Sequence, residues 1–563
     1  MSGINGPGRT EGPRAEDVLT RRSLLRGAGA GAVLLATPAL LAACGSDDGG
    51  AAARTGTQAA SDREIAKITW GMGSGIRGTD IVRDYDAAVW ASLANSLEGL
   101  VALAPDGSVE PRLAESWEQT SPTTYVYVLR EGVTYWDGSP VSIDDVIFNL
   151  DRIVDPRVAS PAAAYFGAVE SFTKTGEREL TVKLRQPDFL FQYTMALSAT
   201  WVTKPSYIRR HGEDFGTSKA PAMGTGPMRL TAFKADRGLE FERYAEYKGT
   251  QPKARKLEMR FITDSSARQL AMRSGELQGA WDVESSQVAQ WEAAGQVIHL
   301  PDYLLMSVAI NTASKPWDDI HVRRAFAHCF DKPALSKALG GPGSQPAESL
   351  VARDLWGGMR SADEVEAFYA SLPAVPFDVE AARAELAKSS VPEGFSATLN
   401  SPRTFPDIGK AVLNASTHLE QIGIDVTVRD VTEEAWIAEF LAKDPDVGLL
   451  AAPMLAAAEP DPKIILEAYL SSENATENGR NAANFRNDEV DQALAVAATS
   501  VEPGDRARAL ETVTRIAAEQ LPYLPLFFTS FPIALADGLV YAEDKRSRYA
   551  FVQPWLTHIS ASA

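Results

Sequence analysis

Cysteine is almost missing from this chain: Cys44 and Cys329 are the only two in 563 residues. With Cys44 assigned to another task below, Cys329 has no partner, so no intrachain disulfide is expected and stability must come from the core. Long apolar runs are also lacking. Ala28 to Leu41 would span ~20 Å as a helix, short of a ~30 Å hydrocarbon core, and nothing downstream approaches ~18 consecutive apolar residues. Basic residues are in the minority, 55 Lys and Arg against 74 Asp and Glu, for a net charge of −19. Residues 1–43 carry +2 of this, leaving about −21 on the rest. No Lys/Arg block interleaved with aromatics occurs, so neither nucleic acid nor a broad anionic membrane surface is expected as a partner.

Catalytic signatures are absent as well. The six histidines (211, 299, 321, 328, 418 and 558) form no His-Glu-x-x-His and have no cysteine at zinc spacing, so they read as surface residues with no metal. Gly71-Met72-Gly73-Ser74-Gly75 lacks the dinucleotide-binding spacing and reads as a turn. No nucleophile elbow or phosphate-binding loop is present. No catalytic residue and no cofactor are assigned.

What is present begins with an export signal. Arg21-Arg22 precede the apolar run Ala28–Leu41, which ends in Leu41-Ala42-Ala43-Cys44. Charged head, short apolar centre and small residues before a cut site are the parts of a secretory leader. The paired arginines resemble a twin-arginine signal. Leu-Ala-Ala-Cys resembles a lipobox, in which Cys44 is acylated and residues 1–43 are removed. The mature chain is then expected outside the cytoplasmic membrane, held to its outer face by lipid. Residues 44–64, small and polar, read as a flexible tether.

From Ile65 onward strands and helices alternate. Tyr125 to Leu129 is β-rich, and Leu180, Val182 and Leu184 alternate, as do Leu257, Met259 and Phe261. Ser142-Ile143-Asp144-Asp145 predicts a capping box opening a helix. Val322, Ala325, Phe326, Cys329 and Phe330 make one apolar helical stripe, with Arg323, Arg324 and His328 on the opposite side. Interspersed elements place the fold in the α/β class, and about 520 exported residues suggest two or more domains.

Three ordered blocks resemble the extracellular solute-binding proteins, family 5, of peptide- and nickel-type ABC importers. The first is Pro111 to Trp117 with Trp136-Asp137-Gly138-Ser139-Pro140 and Asp144-Asp145-Val146. The second is Gly224-Thr225-Gly226-Pro227 with Tyr247-Lys248-Gly249. The third is Ile310-Asn311 to Trp317, then Val322 to Phe326 and Asp331-Lys332. The resemblance implies a two-lobed, type II periplasmic-binding-protein fold that closes on a ligand and presents it to ABC permease subunits, most simply as a monomer. By position, the first lobe holds 65–304 and 528–563, the second 305–527, and the crossings lie near Tyr303–Ser307 and Phe527–Ser530.

The ligand reading follows from the same resemblance. Peptide-binding members place an aspartate where aligning on Pro462 puts Ala458, although Glu459 or Asp461 could replace it with a small shift. Met454-Leu455 replace an aromatic platform, and Ala162 follows Ser160-Pro161 where tyrosine is common. Asp84, Tyr85 and Asp86 fall where first-lobe contacts occur and read equally as an exposed acidic loop. The ligand-binding candidates are therefore Asp84, Tyr85, Asp86, Ala162, Ser307, Trp436, Met454, Leu455 and Phe528. An oligopeptide is the family's usual ligand; a blocked peptide, an oligosaccharide or a polyol is preferred here over a free-amine dipeptide. The alternatives are a secreted lipoprotein hydrolase on an α/β scaffold, with an unrecognised carboxylate pair, or a sensor or adhesion module.

Overall fold

In the computed structural model, which describes residues 59–284, 287–444, 446–455, 460–500 and 502–563, twelve strands share one sheet. In chain order they are β1 (Ile68–Met72), β2 (Met228–Lys234), β3 (Gly238–Arg243), β4 (Lys256–Phe261), β5 (Gly279–Ala280) and β6 (Gln296–Ile310). They continue as β7 (Gln345–Pro346), β8 (Phe395–Pro402), β9 (Ile424–Val431), β10 (Leu449–Ala451), β11 (Met454–Leu455) and β12 (Tyr523–Leu535). Hydrogen bonding orders them β9-β8-β10-β6-β12-β5-β1-β4-β3-β2, with β7 added to β12 and β11 to β6.

The two long strands, β6 and β12, lie antiparallel through the middle of this sheet. On one side Gln296–Pro301 face Ser530–Leu535, and β5, β1 and β4 continue the ladder. On the other, Leu305–Ala309 face Tyr523–Phe528, and β10, β8 and β9 continue it. Between the halves the register slips, from Pro301 to Leu305 and again from Met306 to Ser307. Pro301 and Pro525, which lack an amide hydrogen, stand beside these slips and donate nothing to the ladder. One sheet thus serves two lobes.

One apolar core runs from Trp70 and Tyr125 to Trp356, Met454, Leu466 and Leu510. Within it the rings of Trp70, Trp281 and Trp555 meet at 4.8–5.7 Å. Trp555 Nε1 donates to the Ala91 carbonyl at 3.0 Å, which locks the returning C-terminal segment in place. A separate four-stranded antiparallel sheet buries Tyr125, Tyr127 and Leu129 on one face. The expected capping box is formed: Ser142 Oγ accepts from Asp145 N, and the Asp145 carboxylate accepts from Ser142 N. A Cβ on Gly224 or Gly226 would lie 2.4 or 2.7 Å from Ser96, which explains glycine at both positions. In the second lobe, Val308, Trp317, Phe326, Leu399, Ile408 and Phe527 belong to one core, with Cys329 inside it. Burial pushes the Cys329 thiol up to about 12. Among the described residues no helix is long and apolar enough to cross a membrane.

Three expectations are corrected. The tether does not run free to residue 64: Ala60 and Ser61 pair with Ser562 and Ala561, and Glu64 bonds Arg255 at 2.6 Å. Backbone pairing and ion pairs order this stretch without large apolar side chains. Arg323 is not on a solvated face; it is buried, and its guanidinium satisfies the carbonyls of Gln520 and Trp317. His558 is no surface residue either, lying buried with its Nδ1 3.2 Å from the Tyr541 hydroxyl.

Burial, with Lys545 and Arg112 nearby, lowers His558 from the ordinary 6.5 to about 4. The unfolded chain therefore binds a proton near pH 6.5 that the folded chain refuses until about pH 4. Stability tied to this residue is complete above pH 6.5 and is lost as pH falls towards 4. Urea unfolding at pH 7 and pH 5 should show a smaller loss for His558→Gln than for the parent chain.

Candidate functional site

Strands β8, β9 and β10 run parallel, so their carboxyl ends share one edge of the second lobe. Antiparallel β6 brings Leu305 and Leu304 to that edge opposite Met454 and Leu455. Ligands of open α/β sheets lie at such an edge. Here it coincides with the register slip between the lobes.

Two cavities adjoin the slip. One encloses about 350 Å³ and is lined by Asp302, Tyr303, Arg353, Asp354, Phe528 and Thr529. The other encloses about 490 Å³, shares Pro301, Tyr303, Arg353 and Asp354, and adds Arg360 and Glu366 on one side with Asp106 and Arg546 on the other. Its walls therefore come from segments far apart in the sequence, at 105–106, 301–303, 353–366 and 546–547.

The cleft carries charges of both signs. Arg353 bonds Glu348, stands 3.4 Å from Glu366 and lies 4.4 Å over the Tyr369 ring. Its buried Nη1 finds no hydrogen-bond geometry. Arg360 Nε donates to Glu511 at 2.7 Å. The Ser108 hydroxyl and amide donate to Asp106 and hold its carboxyl below the ordinary range. Thr529 Oγ1 donates to Asp302 at 2.8 Å, across the slip. Fixed guanidinium and carboxylate groups on opposite walls can hold a ligand that itself bears both charges.

The residues proposed from the sequence fall into two groups. Ser307, Trp436, Met454, Leu455 and Phe528 come together at the slip. Leu305 pairs with both Met454 and Phe528, Leu455 pairs with Leu304, Ser307 Oγ donates to the Ala452 carbonyl, and Trp436 Nε1 donates to that of Ala451 at 2.9 Å. Met454, Ser307 and Trp436 are buried, and Phe528 is the one candidate that lines the cleft cavities. The second group sits in the first lobe. The Tyr85 ring meets that of Trp90 at 4.8 Å, tilted by 48°, and that of Tyr165 at 6.5 Å. Ala162 is fully buried in the same short helix as Tyr165. Asp86 caps the helix Ala87–Leu93 by accepting from Val89 N at 3.0 Å, and burial together with Asp80 raises the Asp84 carboxyl. Arg21, Arg22, Cys44, Ala458 and Glu459 lie outside the described residues.

Arg353, Asp354 and Arg360 were not picked out by motif. A signal did exist: Arg353 stands between Leu350-Val351 and Leu355-Trp356, all buried, and a charge inside such a run has a reason to be there.

Two distant segments also meet beside the cleft. Gly107, at φ +84°, sits where a Cβ would be 2.9 Å from Pro460. Next to it Asp461 accepts from Lys463 N to start the helix Pro462–Leu470 and pairs at 2.8 Å with Arg506, both side chains fully buried. Burial raises the Asp461 carboxyl while Arg506 pulls it down. The face of Arg506 covers the Phe189 ring at 4.4 Å.

A two-lobed α/β frame with a mixed-charge cleft at its hinge defines a solute-binding protein. The family model described as bacterial extracellular solute-binding proteins, family 5 Middle, matches residues 108–477, and the chain belongs to that family. The glutathione-binding protein GsiB of Escherichia coli O1:K1 / APEC is 24% identical over 494 residues, covering 87% of this chain and 92% of that protein. Among solved structures, the murein tripeptide-binding protein MppA in its unliganded open form has a TM-score of 0.74 at 17% identity, with coverage of 90% of this chain and 99% of that one. DppA from Helicobacter pylori in complex with the peptide STSA has a TM-score of 0.65 at 19% identity, with coverage of 89% and 99%.

Removing one member of a buried pair costs about 3–5 kcal/mol, because the other charge stays buried alone. Arg506→Met should lower the unfolding free energy by that amount in urea titration. Adding Asp461→Asn, which keeps the cap, should recover much of it.

Proposed function

We propose that this chain is the receptor of an ABC importer, taking a small peptide-like zwitterion into the hinge cleft and delivering it to membrane permease subunits. The observation that carries this reading is the cavity of about 490 Å³ whose walls combine Arg353 and Arg360 with Asp106 and Arg546 from across the hinge. On this reading residues 65–304 with 528–563 form one lobe and 305–527 the other, and ligand draws them together about 301–307. A ligand carboxylate meets Arg353 by taking the place of Glu366 beside its Nη1, and the aromatic surfaces of Tyr303 and Phe528 take its apolar part. The names of the relatives, for glutathione and for peptides, favour the same class. Nothing in this task requires bond breaking.

Calorimetric titration of the exported chain with trialanine, N-acetyl-trialanine, glutathione and maltotriose separates the classes. At least one of the three peptides should bind, with a smaller radius of gyration in small-angle scattering, and maltotriose should not. Arg353→Gln should weaken that peptide about ten- to hundredfold, the worth of one charge-assisted hydrogen bond. Binding of maltotriose alone, or hydrolysis of any peptide, overturns the reading.

Export through Arg21-Arg22 and anchoring through Cys44 complete the proposal. Cys44 offers the thiol at the cut site, and no other cysteine lies near it. Cys44→Ala should leave the protein unprocessed or released on cell fractionation; a mature, membrane-bound variant would refute the anchor.

A further inference from the structure

A third cavity, of about 370 Å³, touches the hinge strand β12 at Tyr523, Leu524 and Pro525 and extends from there past Phe330 and Leu372. Its walls are largely apolar: Pro333 and Leu350, the loop carrying Leu372 and Val375, and Ala517 and Leu521 of the helix Pro503–Gln520 and its cap. It shares Pro346, Glu348 and Tyr369 with the smaller hinge cavity, but Lys332 reaches this cavity alone.

Lys332 is the feature out of keeping with those walls. Its Nζ donates to the Ala347 carbonyl at 3.1 Å, the one hydrogen bond it makes among the described residues. An ammonium carries three donors, so two remain for an occupant. Glu348, which lies nearby, is already bonded to Arg353. Tyr369 is no competitor, since its hydroxyl donates to the Val351 carbonyl at 2.6 Å and accepts from Trp356. Burial pushes the ammonium of the half-buried Lys332 down to about 8, so at neutral pH it is still charged while only partly solvated. Such a charge is costly unless an anion joins it.

We propose that the third cavity binds a medium-chain aliphatic monocarboxylate, its carboxylate on Lys332 Nζ and its chain between Leu372, Val375 and Leu521. The volume accommodates roughly a dozen water-sized groups, which matches an acid of about eight carbons. Burying the chain should raise affinity about fourfold per added methylene until the cavity is full.

The test titrates the exported chain with octanoate, octanol and octylamine. Octanoate should bind one to one, with octanol and octylamine weaker by about tenfold or more, as expected when a charge-assisted bond is lost or opposed. Lys332→Met, which keeps the apolar stem, should lower octanoate affinity by a similar factor. A second readout uses the unmodified protein. Acylation of Lys332 by an amine-directed reagent, followed by peptide mass spectrometry, should be suppressed by octanoate and not by octanol. Equal binding of octanol, no binding of octanoate, or Lys332 labelling indifferent to octanoate overturns the site. Should Lys332→Met fail to fold, the labelling experiment decides.

Discussion

The antiparallel pairing of β6 with β12 is the constraint on which the rest of the molecule depends. Both strands belong to both lobes, so any relative rotation must be absorbed within them. Residues 302–304 are where this can happen, because the register slips there and they lack ladder partners on β12. On either side the ladder is wide. Towards the first lobe, β5 and β1 continue it; towards the second, β11 and β7 flank the pair at Leu305 and Phe528. Two halves of one sheet, joined where residues 302–304 lack partners on β12, make a hinge, and Pro301 adds no donor beside it. Because the cleft cavities open against these same residues, a ligand filling them acts directly on the part that bends.

Charge placement follows from this arrangement. The chain is acidic overall, yet its cleft gathers Arg353, Arg360 and Arg546 beside Asp106, Asp302 and Asp354. Most of these already have partners, so the cleft is poised rather than starved of charge. A zwitterion can replace internal pairs with its own at little net electrostatic cost, whereas a singly charged solute would leave one member of a pair unmatched. That preference sets a class of ligand without fixing its side chains.

Much of the fold was legible in the sequence because the responsible signals are local. Alternation at Tyr125–Leu129 and the Ser142–Asp145 capping box depend on neighbours a few residues away, and the ordered motif blocks identified the two-lobed frame. What was not legible depended on distant partners. Arg323 is buried because Gln520 and Trp317 offer carbonyls; His558 is buried because Tyr541 and the first lobe enclose it. The site shows the same divide. Asp86 and Asp84 are equally suited by composition to hold a cation or to cap a helix, and the backbone gave Asp86 the cap. Conversely, Arg353 belongs to no motif and became a candidate only when cavities on both sides were found to share it.

The Asp461–Arg506 pair bears on the segment in which the family resemblance places an aspartate for peptide-binding members. Asp461 stands three residues after Ala458, and its carboxylate is fully committed, to Arg506 and to the amide that starts the following helix. It is not available to replace a missing ligand partner, since withdrawing it would strand a buried guanidinium. Upstream, Met454 is buried and paired to β6. Both flanks of the segment, Met454 and Asp461, are therefore held by the fold itself. On the proposed reading a ligand's ammonium is then met by the carboxylates that line the hinge cavities, Asp106, Asp302 and Asp354, rather than by an acid of this segment.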